Sequence, residues 1–259
     1  MRAARAPWPR ARALAMSTSQ SGLPYAPAAK AAFVRGMFAQ IVPRYDLVNR
    51  LMTMGLDRRW RRETVAIAAP RGALALDIAT GTGDLALELI RQGARRVVGA
   101  DFCFDMLRAA IPKADSRASD HGGPISFAAA DAARLPFPEG TFDCVVNGFM
   151  LRNVTDLPAV FRELYRVLRP GGRLACLDLT PPRGPMRAML NLYTNRMVPL
   201  LGGAVSGHLY AYRYLAESVG RHPEAERMAA IMREAGFADA GFRRIGFGTV
   251  AIHFGTRPG

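Results

Sequence analysis

Leu76-Asp77-Ile78-Ala79-Thr80-Gly81-Thr82-Gly83-Asp84 is the stretch on which the fold turns. An apolar run from Ala73 to Ile78, carrying Asp77, breaks at two glycines and resumes as the helical pattern Leu85-Ala86-Leu87-Glu88-Leu89-Ile90. The change of period predicts a strand, a tight turn and a helix, the unit that cradles a nucleotide at the carboxyl edge of a parallel sheet. Gly81 and Gly83 allow the backbone to approach a ligand, and the helix N-terminus offers unpaired N–H groups. Gly81, Gly83 and Ala86 also satisfy the dinucleotide pattern Gly-x-Gly-x-x-Gly/Ala, so the turn alone leaves the ligand open.

Three acids narrow it. Asp77 lies at the end of the first strand, where its carboxylate could meet a cationic or hydrogen-bonding group. Asp101 ends the run Arg96-Val97-Val98-Gly99-Ala100, roughly twenty residues past the turn, the place from which a carboxylate takes both hydroxyls of a ribose. Asp131 ends Ile125-Ser126-Phe127-Ala128-Ala129-Ala130, with Ala132 after it. Each acid alone is also open to reading as a helix cap. The ordered set resembles a class I S-adenosylmethionine-dependent methyltransferase. That resemblance implies that Asp77 with Gly81, Thr82 and Gly83 holds the aminoacyl end of the methyl donor, Asp101 its ribose, and Asp131-Ala132 its adenine.

The chain has 259 residues, half of them hydrophobic, enough for one large α/β domain and too few for two enzyme domains. No apolar run approaches the roughly eighteen residues of a membrane span. Cys103, Cys144 and Cys176 lack Cys-x-x-Cys spacing and are expected to be reduced, buried thiols of a cytoplasmic protein. His121, His208, His222 and His253 form no ligand spacing, so no metal is expected. The net charge of +14 begins with Arg2, Arg5, Arg10, Arg12 and Lys30, in a leading segment with no acid. Residues 1–28 read as a disordered extension. Mitochondrial import through it is one alternative, and an over-long reading frame with the true start at Met16 is another. The remaining arginines are dispersed, which argues against specific nucleic-acid recognition and allows attraction to an anionic membrane surface.

Residues 29–259 read as a single domain. Lys30 to about Leu51 is helical with a break at Pro43, and a second helix carries Trp60, Thr64 and Ile67. Strand–helix alternation then runs from Ala73 to Thr180, the pattern of a doubly wound, mostly parallel sheet. Phe142 to Gly148 reads as the fourth strand and Leu157 to Leu168 as a helix. Arg169-Pro170-Gly171-Gly172 reads as a stop and turn before a fifth strand from Arg173 to Leu179. A helical insertion over 181–218, rich in Met and Leu (Met186 and Met189 among them), precedes a helix from Glu224 to Ala235 and two strands ending near Phe254. The resemblance implies that these last two form a reversed hairpin.

Three further segments carry a closer resemblance. They are Met37-Phe38 followed by Tyr45-Asp46-Leu47-Val48-Asn49 with Gly55 to Trp60 behind it, Phe149-Met150-Leu151-Arg152-Asn153-Val154-Thr155-Asp156, and Tyr212-Arg213-Tyr214-Leu215-Ala216-Glu217-Ser218 with Met232, Ala235-Gly236-Phe237 and Ala251 to Gly255 after it. Together they resemble the ubiquinone/menaquinone biosynthesis C-methyltransferases from residue 31 onward. The resemblance implies C-methylation of a polyprenylated quinol ring, demethylmenaquinol being favoured and a ubiquinone-pathway benzoquinol the alternative. Arg152 would stabilise a phenolate, since a guanidinium stays protonated and cannot be the base, while Asn153 and Tyr45 orient the ring. A salt bridge for Arg152 and a turn cap for Asn153 are the structural alternatives. Gly148 stands where the family implies a cofactor-touching serine, and Met150 and Cys103-Phe104-Asp105 also depart from its pattern. Apolar residues of the insertion, with Arg183, Arg187 and Arg196, would form a lid for the prenyl tail at a membrane surface. A homodimer is left open. The rival readings are a nicotinamide-dependent oxidoreductase, a methyltransferase of another small molecule or RNA, and a non-catalytic interaction protein.

Overall fold

The alternation that starts at Ala73 builds one seven-stranded sheet in the computed structural model, which describes residues 27–259 apart from 122, 184 and 186. The side chains of residues 27, 28, 117–121, 194 and 195 also lie outside the description. The expectations for the leading extension, for the start at Met16 and for Met186 therefore fall outside the described residues.

Three helices come first: α1 (Pro27–Ile41), α2 (Tyr45–Met52) after a 3-10 turn at Val42–Arg44, and α3 (Asp57–Ala68). The turn holds Pro43, where the missing N–H does no harm. Then follow β1 (Leu74–Ile78), α4 (Asp84–Arg91), β2 (Arg96–Asp101), α5 (Phe104–His121), β3 (Ile125–Ala129), β4 (Phe142–Gly148), α6 (Leu157–Val167) and β5 (Leu168–Leu179). The insertion forms α7 (Arg187–Leu192), a π-helical stretch at Tyr193–Met197, α8 (Val198–Ser206) and α9 (Leu209–Arg221), and so runs past its expected end at 218. α10 (Ala225–Glu234), β6 (Ala238–Ile245) and β7 (Val250–Thr256) close the chain.

The strand order is β3-β2-β1-β4-β5-β7-β6. β1 to β5 run parallel, and β7 inserts antiparallel between β5 and β6, giving the reversed hairpin. Alternate residues split the core into two layers. Leu76, Ile78, Val145 and Leu174 pack with Phe161 and Leu164 of α6 and Met228 and Met232 of α10. Ala75, Val97, Cys144, Val146 and Ala175 face Val65 and Ala68 of α3 and Leu85 and Leu89 of α4. The order reverses between β1 and β4, and a crevice opens there at the strand ends. α1, α2 and α9 pack over it through Val34, Met37, Ile41, Val48 and Tyr212. All three cysteines are buried free thiols.

A second boundary also differs from expectation. The segment Arg169-Pro170-Gly171-Gly172 is part of β5 rather than a turn before it. Leu168 already pairs with Phe142, Gly171 N–H donates to the Arg257 carbonyl at 2.8 Å, and Arg257 N–H returns to Gly172 at 2.9 Å. Gly171, at φ +76°, absorbs the register shift as a bulge that the Pro-Gly-Gly pattern does not distinguish from a turn.

Candidate active site

Where β1 and β4 part, their carboxyl ends and that of β2 enclose a cavity of about 140 Å³. Gly81, Asp101, Asp131, Ala132 and Gly148 line it. Gly81 adopts φ +55°, and a Cβ there would meet nothing within 4 Å, so the space above the turn is open. Asp101 receives the Gly81 N–H on Oδ2 and the Cys103 N–H on Oδ1, both at 2.8 Å. Burial lifts its pKa, and these backbone donors oppose the rise. Asp131, on the exposed rim, accepts from Ala133 N–H at 2.9 Å.

Asp77, Thr82 and Gly83 stand behind this wall. Asp77 is fully buried, accepts the Thr80 hydroxyl at 2.6 Å on Oδ2, and leaves Oδ1 without a partner. Burial pushes its carboxyl up to about 7. Gly83 (φ +86°) is the N-cap of α4 and packs on Ala110. The Thr82 hydroxyl donates to Asp46 at 2.6 Å, and Lys113 Nζ bridges Asp46 at 2.8 Å and Asp84 at 2.5 Å. This cluster ties α2, and with it Tyr45, to the glycine turn.

A second cavity, about 490 Å³, lies beneath α1, α2 and the insertion, walled by apolar residues such as Ile41, Trp60, Leu190 and Tyr212. Phe38, Tyr45, Phe149 and Asn153 line both cavities and so form the partition between them. Phe149 sits at φ +59°, a region costly for a bulky residue. Its N–H donates to Leu177 at 2.6 Å, and its carbonyl accepts from Arg152 Nη1 at 2.6 Å and Asn153 Nδ2 at 3.2 Å, which holds the bend in place. The guanidiniums of Arg61 and Arg152 each lie 5.7 Å from its ring centroid. Arg152 also pairs with Asp178 at 2.9 Å. Asn153 does not cap α6; Asp156 does, accepting from Ala159 N–H at 2.9 Å. Asn153 Oδ1 is buried without a partner beside the shared wall. Tyr45 stacks edge-on against Phe38 at 6.0 Å, and burial raises its phenol pKa. Among the described residues no group of three or more His, Cys, Asp or Glu is arranged to hold a metal ion.

A cavity at the strand switch that shares an aromatic partition with a larger apolar chamber does not by itself name a reaction. Sequence comparison discriminates further: residues 27–257 match the ubiE/COQ5 methyltransferase family. The chain belongs to that family. It is 48% identical over 225 residues to the demethylmenaquinone methyltransferase of Thermus thermophilus, covering 86% of this chain and all of that protein. It is 43% identical over 227 residues to the ubiquinone/menaquinone biosynthesis C-methyltransferase of Desulfotalea psychrophila, covering 86% and 90% of the two chains. The fold is shared with a solved S-adenosylmethionine-dependent methyltransferase of Thermotoga maritima (TM-score 0.60, 17% identity, 86% and 98% covered).

Within this ubiE/COQ5 chain, several site residues carry no mark in the sequence. Asp178, Lys113 and Arg61 lie outside the motifs, and Phe149 opens one of them with no role read from it. Arg61 is one of four arginines in Arg58-Arg59-Trp60-Arg61-Arg62. Its only signal is helical spacing: it shares a face with Asp57, Thr64, Val65 and Ala68, all buried. Arg183 pairs with Glu224 and Glu226 at the start of α10. Arg187 and Arg196 are exposed.

Proposed function

We propose that this chain transfers the methyl group of S-adenosylmethionine to a ring carbon of a polyprenylated naphthoquinol, demethylmenaquinol, giving menaquinol. The observation that carries the reading is the partition of Phe38, Tyr45, Phe149 and Asn153 between a strand-end cavity and an apolar one. A donor and a flat aromatic acceptor placed on either side would meet there with water excluded.

The residues present suit the donor. Asp101 keeps lone pairs beyond its two backbone bonds for ribose hydroxyls, and the open face of Gly81 admits a close ligand. Asp131 and Ala132 stand at the far rim for the adenine. Asp77 acts through the turn, holding Thr80 in place. Bound there, S-adenosylmethionine supplies an electrophilic methyl on a sulfonium. The ring carbon of the ionised quinol would form the new C–C bond as the S–C bond breaks, releasing S-adenosylhomocysteine, and the ring proton would pass to the quinol oxygen as the keto form tautomerises back to the aromatic ring. Arg152 favours the ionised quinol oxygen electrostatically, while the Tyr45 hydroxyl and the unfilled Asn153 Oδ1 orient the ring.

The prenyl tail would leave by the mouth of the larger cavity, where Met54, Met189 and Phe247 combine cavity lining with solvent exposure. Leu192, Leu200, Arg187 and Arg196 of the insertion are also exposed, a composition suited to an anionic bilayer. No helix among the described residues is long and apolar enough to cross a membrane. The test is purified protein with labelled S-adenosylmethionine and chemically reduced demethylmenaquinone carrying a short prenyl tail, with a demethylated benzoquinol in parallel. Label in menaquinone is expected; transfer to neither quinol overturns the reading, and transfer to the benzoquinol alone moves it to ubiquinone chemistry.

A further inference from the structure

Arg61 lines neither cavity itself but stands behind Gly148 and Phe149 in the wall of the donor cavity, and its buried Nε is an unfilled donor. A Cβ built at Gly148, which lines that cavity, would stand 3.7 Å from Arg61 Nη1. The guanidinium also packs on Phe149, another lining residue. Its side chain is only 12% exposed, and Nε has no hydrogen-bond partner. Asp57 and Asp84 offset the charge from 3.6 and 3.7 Å, beyond hydrogen-bonding reach of Nε. The other cations near the site are engaged at short range: Lys113 by Asp46 and Asp84, Arg152 by Asp178 and the Phe149 carbonyl. Arg61 also opposes the burial-driven rise of both the Asp77 carboxyl and the Tyr45 phenol, as a charge lying between the glycine turn and the partition would.

The aminoacyl end of S-adenosylmethionine is a zwitterion. Acids and carbonyls at the turn suit its ammonium; its carboxylate needs a cation, and backbone N–H groups alone leave that charge uncompensated in a low-dielectric wall. We propose that Arg61 binds the carboxylate of the donor's aminoacyl end. This rests on the reading of the chain as an S-adenosylmethionine-dependent enzyme. It also gives Gly148 a role: a side chain there would crowd Leu85 Cδ1 at 2.9 Å and stand over the guanidinium. The arginine thus supplies polarity at a wall where this chain lacks the hydroxyl implied by its relatives' pattern.

Calorimetric titration of two nucleosides tests it: S-adenosylhomocysteine, and its decarboxylated analogue, which lacks only the carboxylate. Arg61→Met keeps the stem on Phe149 and removes the charge. It is expected to weaken S-adenosylhomocysteine about tenfold or more, the range of a lost charge-assisted hydrogen bond, and to leave the analogue's affinity within about twofold. Equal losses for both ligands make Arg61 structural and overturn the proposal, as does no loss for either. Arg61→Lys, which keeps the charge toward Asp57 and Asp84, is the second variant should Arg61→Met not fold; it is expected to narrow the preference for the carboxylate, and an unchanged preference counts against the assignment. Wild-type protein that binds neither nucleoside removes the donor reading itself, a result distinct from binding without selectivity.

Discussion

Arg152 and Asp178 form an ion pair behind the partition between the two cavities, Nη1 standing 2.9 Å from Oδ1, with Asp178 wholly buried. The Arg152 and Leu179 amides also donate to the same carboxylate, so the acid is fixed from several sides. One guanidinium is thereby asked to neutralise a buried acid, brace the Phe149 carbonyl and face the acceptor chamber.

Those duties separate in a double variant. Arg152→Ala leaves Asp178 buried and unpaired, a change that costs about 3–5 kcal/mol. Arg152→Met combined with Asp178→Asn removes both charges and is expected to recover most of the lost Tm without recovering turnover. S-adenosylhomocysteine binding should persist in the double variant. Restored turnover there would take Arg152 out of the chemistry.

Tyr45 keeps its proton at neutral pH, because burial raises its phenol above the ordinary tyrosine range. On the proposed reading the hydroxyl donates to the acceptor ring and does not act as a base. Tyr45→Phe retains the edge contact with Phe38 and should lower kcat about tenfold, the size of one hydrogen bond to a developing anion. Its affinity for S-adenosylhomocysteine should be unchanged; a loss there would place the hydroxyl in donor binding.

Met54 and Phe247 are 74% and 70% exposed yet line the larger cavity, the proposed acceptor site. Replacing both with Ser should reduce co-sedimentation with anionic lipid vesicles and raise KM for a long-tailed quinol in those vesicles. KM for a short-tailed, water-soluble quinol should not move. Equal effects on both substrates would locate these residues in ring binding instead.

His253, in β7, is buried, and burial lowers its pKa from 6.5 to about 4 against the opposing pull of the Asp178 carboxylate. The unfolded chain then binds the extra proton between these values, so stability is full above 6.5 and lost as pH falls toward 4. At 1.36 kcal/mol per unit the loss from this group approaches about 3 kcal/mol. Asp77 works in the opposite sense, since its raised carboxyl pKa favours the folded state as pH falls below about 7. Urea unfolding from pH 4 to 7 should show His253→Gln gaining stability relative to the parent protein as pH falls, because the opposing slope of Asp77 is then unmasked; a difference that does not change with pH would mean that the histidine does not titrate as described.

Local features of this site were legible and long-range ones were not. The glycine turn, the acids at the strand ends and the buried helix faces follow from periods of 2 and 3.6 and from backbone needs within a few residues. Gly81, Asp101, Asp131, Ala132 and Gly148 accordingly meet at one cavity. Asp77 shares their motif but turns inward, because a 2.6 Å bond from Thr80, three residues on, holds it beneath the turn. The bulge at Pro170-Gly171-Gly172 escaped for a related reason: its partner is Arg257, far along the chain.

By itself the sequence determined the strand–helix alternation, the reversed hairpin implied by its resemblance, and the acids presented at the sheet's edge, since each depends on neighbours in the chain. Only the tertiary structure decided which charges are neutralised and which remain for a ligand. Asp178 reaches Arg152 across 26 residues, while Arg61 reaches Phe149 from a helix that precedes the whole sheet. Charges interact through space, and their partners are set by how the layers stack rather than by their order in the chain.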